Sequence, residues 1–341
     1  MGMAGIEGHY TPGPITSRKG ENYGPSYCGA GKTVPSKMLA ALNVLGIKTT
    51  WCLIMEQISS IATLGATDKW LKEVLFGSLC SDSLPSTSNR AKFSIIFPTA
   101  DEIRRSLNGY GSGGSIHMKL QSAAQQKQLQ YMRPHLCHWA GDEETPVLNP
   151  PAEAVQKQTS AGINNATTTN REAGRRRAAP HIKTYIRFSN VREMDCIDWA
   201  MVTSANLSTQ AWGAAANANG EVRICSWEIG IIVWPDLFGD YPTTTGGEAI
   251  NENKRVEMVP CFKQDLPLPP HLLAAEPDNK SQGTGINRGL LGDGKLRLPS
   301  VRVGFRMPYD LPLSPYSSND VPWCATARHT EQDWLGQTWD N

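Results

Sequence analysis

At 341 residues, 40% of them apolar, the chain is long enough to bury one large core or two small ones. Its 33 Lys and Arg against 32 Asp and Glu leave a formal net charge of +1, which excludes capture of polyanions by a whole-molecule field; any nucleic-acid contact must rest on a local patch. The 8 cysteines are scattered without a Cys-x-x-Cys pair, a pattern of reduced thiols in the cytosol or nucleus rather than of disulfides or a zinc site. No apolar stretch reaches the roughly 20 residues of a membrane span. The first residues lack a basic start followed by an apolar run, so a soluble, intracellular protein is expected.

In chain order, residues 1–45 are rich in Gly, Pro and Ser and read as an irregular N-terminal remnant, with helical spacing only at Met38, Leu39, Leu42 and Leu45. Residues 50–58 form an apolar run suited to a buried strand, followed by a small-residue turn over 59–65 and a helix through Trp70, Leu71, Val74 and Leu75. A strand over 93–97 closes at Pro98, a helix follows over 100–107, and the glycines of 109–115 make a loop that permits close backbone approach. Residues 141–180 are rich in Pro, Ala, Thr, Asn and Gln and read as a disordered insertion. Strands are expected over 197–203 and 229–233, with a helix starting near Leu207. Residues 240–296 read as a second polar insertion, and the tail from Val301 as a coil wrapped over the domain. Strands alternating with helices point to an α/β domain over residues 46–341.

The sharpest feature is His181-Ile182-Lys183. On a strand, alternate side chains share a face, so the imidazole and the ammonium point the same way. One titrates near neutral pH and the other is a fixed positive charge, the two functions that phosphoryl transfer asks for. A bare His-x-Lys arises often by chance; the block from Val202 to Ser208 adds weight. There Asn206 can donate an amide hydrogen bond to a phosphate oxygen, and Ser208 with the amides of the coming helix can meet a second phosphate. Glu228, just before an apolar strand, can orient an imidazole.

Together, His181-x-Lys183, Ser204-Ala205-Asn206-Leu207-Ser208, Ala211-Trp212-Gly213 and Ser226-x-Glu228-x-Gly230 closely resemble the second half of the tyrosyl-DNA phosphodiesterases, a DNA-repair branch of the phospholipase D superfamily. The resemblance takes in Ser59-Ser60-x-x-Thr63-Leu64-Gly65 and Gly109-Tyr110-x-x-Gly113-Gly114-Ser115 upstream. Downstream it takes in Pro308-Tyr309-Asp310-Leu311-Pro312, Asp320-x-Pro322-Trp323 and Trp339, and so covers most of the chain from about residue 50, the two insertions apart. The ordinary superfamily signature has Asp five residues after the lysine; here Phe188 stands there and the polar role falls to Asn206, which favours the DNA-repair branch.

The resemblance implies a phospholipase D-like mixed sheet flanked by helices, with two polar insertions. It implies hydrolysis, in the nucleus, of a 3′-phosphotyrosyl bond that joins single-stranded or nicked DNA to a topoisomerase-derived peptide. No metal or other cofactor is implied, since lysine and asparagine bind the phosphate and histidines do the covalent and proton work. His181 would protonate the leaving tyrosyl oxygen and later activate water, Lys183 and Asn206 would hold the scissile phosphate, and Glu228 would orient an imidazole. Ser60, Ile61, Ala62, Thr63, Ser115, Ser204, Ser208 and Trp339 would contact DNA. The family's other His-x-Lys pair, which supplies the nucleophile, belongs to the first half, and no residues here are assigned to it. The chain is therefore expected to be the acid–base half, with an inactive DNA-binding remnant or scaffold as the alternative.

Three other features carry less. Gly29-Ala30-Gly31-Lys32-Thr33 imitates a phosphate loop without its leading glycine or strand, and His135 and His138 flank Cys137 without a second ligand pair. Arg175-Arg176-Arg177 reads as a solvated linker run, while Trp339 is balanced between stacking on a base and anchoring the terminus.

Overall fold

The computed structural model describes residues 15–16, 52–80, 91–139, 171–215, 217–218, 222–239, 256–267 and 301–340. The helix expected over 36–45 and the Gly29–Thr33 segment lie outside them, as do residues 141–170, 240–255 and 268–296 of the two insertions.

After β1 (Ile15–Thr16) come β2 (Leu53–Gln57) and the short β3 (Ser60–Ile61). A π-wound turn, Trp70–Phe76, runs into α1 (Gly77–Cys80) and is followed by β4 (Lys92–Ile96), α2 (Ala100–Arg104) and a 3₁₀ stretch, Gly109–Ser115. Next are β5 (His117–Met118), α3 (Ala123–Met132) and β6 (Leu136–Cys137). The second part holds β7 (Lys183–Phe188), β8 (Ile197–Thr203), α4 (Thr209–Trp212), β9 (Arg223–Ile224) and β10 (Gly230–Val233), then β11 (Val256–Cys261) and β12 (Val301–Arg306).

Eight of these strands make one mixed sheet in the order β12-β11-β8-β7-β2-β4-β6, with β10 also paired to β8. At its centre β7 runs antiparallel to both neighbours, Glu56 opposite Tyr185 and Lys183 opposite Thr203. β3 and β5 form a separate parallel ribbon, Ser60 opposite His117.

Every residue of β2 is buried, as a run covered on both faces should be. Alternation sends Ile54 and Ile58 to one face, where they join Tyr185, Trp199, Met201, Leu71, Leu75, Met132 and Trp323. Leu53 and Met55 go to the other, where they meet Ile186, Phe188, Ala200, Tyr309 and Leu311. Helical turns thus cover one face, and among the described residues the C-terminal coil covers much of the other. His138 fastens that coil, its Nδ1 3.3 Å from Glu102 Oε2 and its Nε2 3.0 Å from Asp320 Oδ2. Burial disfavours a charged imidazole there, but the two carboxylates outweigh it and push His138 up to about 9. His135 sets its Nδ1 3.3 Å from the Phe93 carbonyl.

Four expectations change, the first being that the tail expected as coil from Val301 opens with the sheet strand β12. The 141–180 insertion ends in order, because Asp310 accepts the Ala173 amide at 2.6 Å and pairs with Arg176 at 2.5 Å, while Arg171 and Leu311 exchange backbone bonds. Within 240–296, residues 256–261 are a sheet strand, since Met258, Val259 and Cys261 bury their side chains and β12 supplies a partner. The helix over 100–107 stops at Arg104 and α3 was not foreseen; its Ser122 and Gln125 form a reciprocal cap.

Glu56 is fully buried with neither carboxylate oxygen hydrogen-bonded among the described residues, and burial pushes its pKa from 4.5 to about 8. Between those values the unfolded chain binds fewer protons than the folded one, so this group lowers stability as pH rises from 4.5 to about 8. Glu56→Gln is expected to leave Tm nearly unchanged at pH 4.5 and to raise it at pH 8, read by thermal unfolding at both pH values. A variant that melts lower than the parent at pH 8 contradicts this account.

Candidate active site

Because β7 is antiparallel to β2 and β8, its first residue lies beside the last residues of both. Three chain segments therefore meet at one end of the sheet: His181–Lys183 entering β7, Ser59–Ser60 leaving β2, and Ser204–Asn206 leaving β8. Asn206 joins two of them. Its Oδ1 accepts the backbone amides of Ser59 at 3.0 Å and Ser60 at 2.9 Å, and the Ser59 hydroxyl at 3.3 Å. The turn holding it is pinned by Tyr185 Oη to Ala205 O, Trp212 Nε1 to Asn206 O, and Ala62 N to Leu207 O. With its carbonyl end committed, Asn206 presents its Nδ2 amide as a donor.

The strand begins at Lys183, so His181 lies just ahead of it rather than on the strand face. The pair still converges: Lys183 Nζ donates to the His181 carbonyl at 2.7 Å and lies 3.4 Å from His181 Nδ1. An ammonium has only donors, so Nδ1 accepts and the imidazole proton sits on Nε2. Partial burial, then the charges of Lys183 and His117, hold His181 below the usual histidine range. Lys183 is buried, which lowers its pKa, and the charge of Glu228 works against that shift. Glu228 is held by the Ser204 hydroxyl at 2.6 Å, and Ser204 Oγ in turn accepts the Ile229 amide at 2.9 Å. The Glu228 bond thus goes to Ser204 rather than to His181.

The residues expected on the DNA strand divide. Ser60, Ala62, Ser204 and Ser208 are at least partly exposed near Asn206, and Thr63 and Ser115 face solvent. Ser208 Oγ accepts the Ala211 amide at 3.0 Å and caps the single turn α4, whose first amides are thereby used within the chain. Ile61 is corrected: its side chain is buried in the core, because the short strand β3 turns alternate residues inward. Trp339 is half-buried and takes part in packing. Its Nε1 donates to Ala325 O at 2.8 Å and its ring meets Trp323 edge-on at 5.6 Å. One residue was missed. His117-Met118-Lys119, a segment to which the sequence analysis assigns no role, repeats the His-x-Lys spacing, and His117 sits opposite Ser60.

A sequence model of the family described as tyrosyl-DNA phosphodiesterase matches residues 15–317. The chain belongs to the tyrosyl-DNA phosphodiesterase family. A probable tyrosyl-DNA phosphodiesterase of Schizosaccharomyces pombe is 29% identical over 298 residues, covering 84% of this chain and 42% of the relative. Tyrosyl-DNA phosphodiesterase 1 of Arabidopsis thaliana is 26% identical over 293 residues, covering 84% of this chain and 38% of the relative. The chain therefore spans about two-fifths of these curated relatives. The solved yeast tyrosyl-DNA phosphodiesterase aligns with a TM-score of 0.47 at 19% identity, covering 88% of this chain and 55% of that one.

Within this family member, Asn206 has a structural duty, and substitution can separate it from the phosphate-binding role that the resemblance implies. Asn206→Ala strands two amides and is expected to cost about 1–3 kcal/mol in urea unfolding. Asn206→Asp keeps the acceptor and recovers most of that loss. Calorimetric titration with inorganic phosphate should show weaker binding in both variants, weakest in Asn206→Asp because of like-charge repulsion. Phosphate binding by Asn206→Asp equal to the parent's would remove Asn206 from the pocket.

Proposed function

We infer that this chain is the acid–base half of a DNA-repair phosphodiesterase that hydrolyses a 3′-phosphotyrosyl bond between DNA and a topoisomerase-derived peptide. The observation that supports it most is the convergence of Lys183 Nζ on His181, 3.4 Å from Nδ1, beside the clamped Asn206. In this reading the Lys183 ammonium and the Asn206 amide hold two phosphate oxygens. A second imidazole attacks phosphorus as the phosphorus–tyrosyl oxygen bond breaks, and His181, entering this step as the imidazolium, gives one proton to the departing oxygen and becomes the neutral ring, which can then take a proton from water. A water that loses a proton to His181 then attacks phosphorus. The phosphorus–nitrogen bond breaks and a 3′-phosphate is left on DNA. A nuclear location fits this substrate.

The attacking imidazole is assigned to the family's other half, which carries the other His-x-Lys pair, whether in the same polypeptide or in a partner chain. Two observations favour this. The chain matches only 42% of its fission-yeast relative, and an apolar rim of Ile182, Val202, Ile229 and Ile231 stands exposed beside the charged site. Ile229 alone is 68% exposed, an arrangement that a covering half would relieve.

The chain alone is expected to bind a 3′-phosphotyrosyl oligonucleotide without releasing tyrosine in a single turnover, and to form no phosphohistidine. Lys183→Ala should weaken that binding more than tenfold, the value of about 1.5–3 kcal/mol for a charge-assisted bond. Tyrosine release by the chain alone that vanishes in His181→Ala would contradict the half-site assignment. Equal affinity in Lys183→Ala would contradict the phosphate pocket itself.

A further inference from the structure

We propose that Gln57, Thr184 and Tyr309 line a buried water site at the site's end of the sheet, on the face away from Lys183, and that the bound water makes all three positioning residues for Lys183 and the Asn206 clamp. The positioning role rests on the reading that Lys183 and Asn206 hold a phosphate.

Gln57 and Thr184 stand opposite each other across the β2–β7 ladder, so their side chains share one face with Cβ atoms about 5 Å apart. Alternation puts that face on the side of Met55, Ile186 and Tyr309, opposite the side of Lys183 and Tyr185. Gln57 and Thr184 are fully buried, and Tyr309 is 2% exposed. Yet both ends of the Gln57 amide and the hydroxyls of Thr184 and Tyr309 find no hydrogen-bond partner among the described residues. Burial raises the Tyr309 phenol above the ordinary tyrosine range, and the Thr184 side chain works against that rise, which sets the two hydroxyls near each other.

Polar atoms gathered in an apolar core are costly unless bonded, and an internal water with about three partners is the usual remedy. The chemistry selects water over an ion. Gln57, Thr184 and Tyr309 are all neutral, so a buried ion of either sign would lack a counter-charge. The two hydrogens and two lone pairs of water match an amide carbonyl, an amide N–H and two hydroxyls that each donate or accept. Solvent is also close. On its other side Thr184 faces Val202, which is 40% exposed, and Val202 faces Ile231, which is 56% exposed.

The three residues hold the parts that the phosphate pocket depends on. Gln57 ends β2, two positions before Ser59, whose amide donates to Asn206. Thr184 directly follows Lys183. Tyr309 is fixed independently of both: Met307 N donates to Cys261 O at 2.9 Å, Arg171 and Leu311 exchange backbone bonds, and Asp310 pairs with Arg176. A water bridging the three therefore ties the ends of both site strands to the C-terminal coil.

A high-resolution crystal structure of the chain should show a solvent peak within hydrogen-bond distance of the Thr184 and Tyr309 hydroxyls and the Gln57 amide. Calorimetric titration with inorganic phosphate and thermal unfolding are then compared for the parent, Tyr309→Phe, Thr184→Val, Thr184→Ser and the double variant Tyr309→Phe, Thr184→Val. Each hydroxyl deletion should weaken phosphate binding by about two- to tenfold, the value of one net hydrogen bond. Thr184→Ser, which keeps the hydroxyl, should bind like the parent. Because one water serves both hydroxyls, the double variant should bind no more weakly than the weaker single variant.

Direct hydrogen bonds among the three side chains, with no solvent peak between them, would overturn the water site. Phosphate affinity that holds in every variant while the melting temperature falls would overturn the positioning role, as would losses that simply add in the double variant. A parent that binds no phosphate would overturn the pocket and the positioning role with it, and the solvent peak would still decide the water site.

Discussion

One side-chain oxygen holds this site together. Asn206 Oδ1 takes the amides of Ser59 and Ser60, which leave β2, and so joins them to the turn leaving β8. Asn206 lies 147 and 146 residues from these two serines in sequence, and without the clamp two backbone donors of the turn leaving β2 would lose their acceptor. The same bond makes Asn206 directional: with the carbonyl fixed, the amide nitrogen has one way to point. The β3–β5 ribbon is built on the same two serines, so the position of His117 follows from the clamp as well.

Charge is arranged around that frame with little waste. Lys183 is buried at the mouth of β7, where an isolated ammonium is costly, and its hydrogen bond to the His181 carbonyl and the nearby Glu228 charge offset the cost. Its contact with Nδ1 fixes the imidazole tautomer, and its charge favours the neutral ring. Ser204 holds Glu228 so that the carboxylate stays near Lys183 without capturing the imidazole. The fold contrasts this with Glu56, one position from the site's end of β2, a buried acid with no hydrogen-bond partner among the described residues.

What the sequence made legible is what depends on local pattern. The strand over 197–203 and the buried run around Leu53–Gln57 follow from β-branched and apolar alternation, and the site triplet follows from motif order. What it hid depends on distant partners. Residues 171–180 look like linker, yet Asp310 orders Ala173 and Arg176 from 137 and 134 residues away. β11 was masked by polar neighbours, since its order comes from pairing with β12. α3 is too rich in glutamine for an apolar stripe, and its signal was the Ser122–Gln125 cap. Ile61 was misplaced because a small-residue turn gives no clue to which side faces inward. His117-Met118-Lys119 repeats the His-x-Lys spacing, but only the ribbon register sets His117 opposite Ser60.

The central claim is that Lys183, Asn206 and His181 surround one phosphate. The most direct measurement is a crystal structure of the chain with inorganic phosphate, refined for the anion's position. The account predicts an anion accepting from Lys183 Nζ and Asn206 Nδ2, with His181 Nε2 facing one of its oxygens. A saturated crystal with phosphate bound elsewhere, and with Asn206 Nδ2 turned onto a protein acceptor, would contradict it.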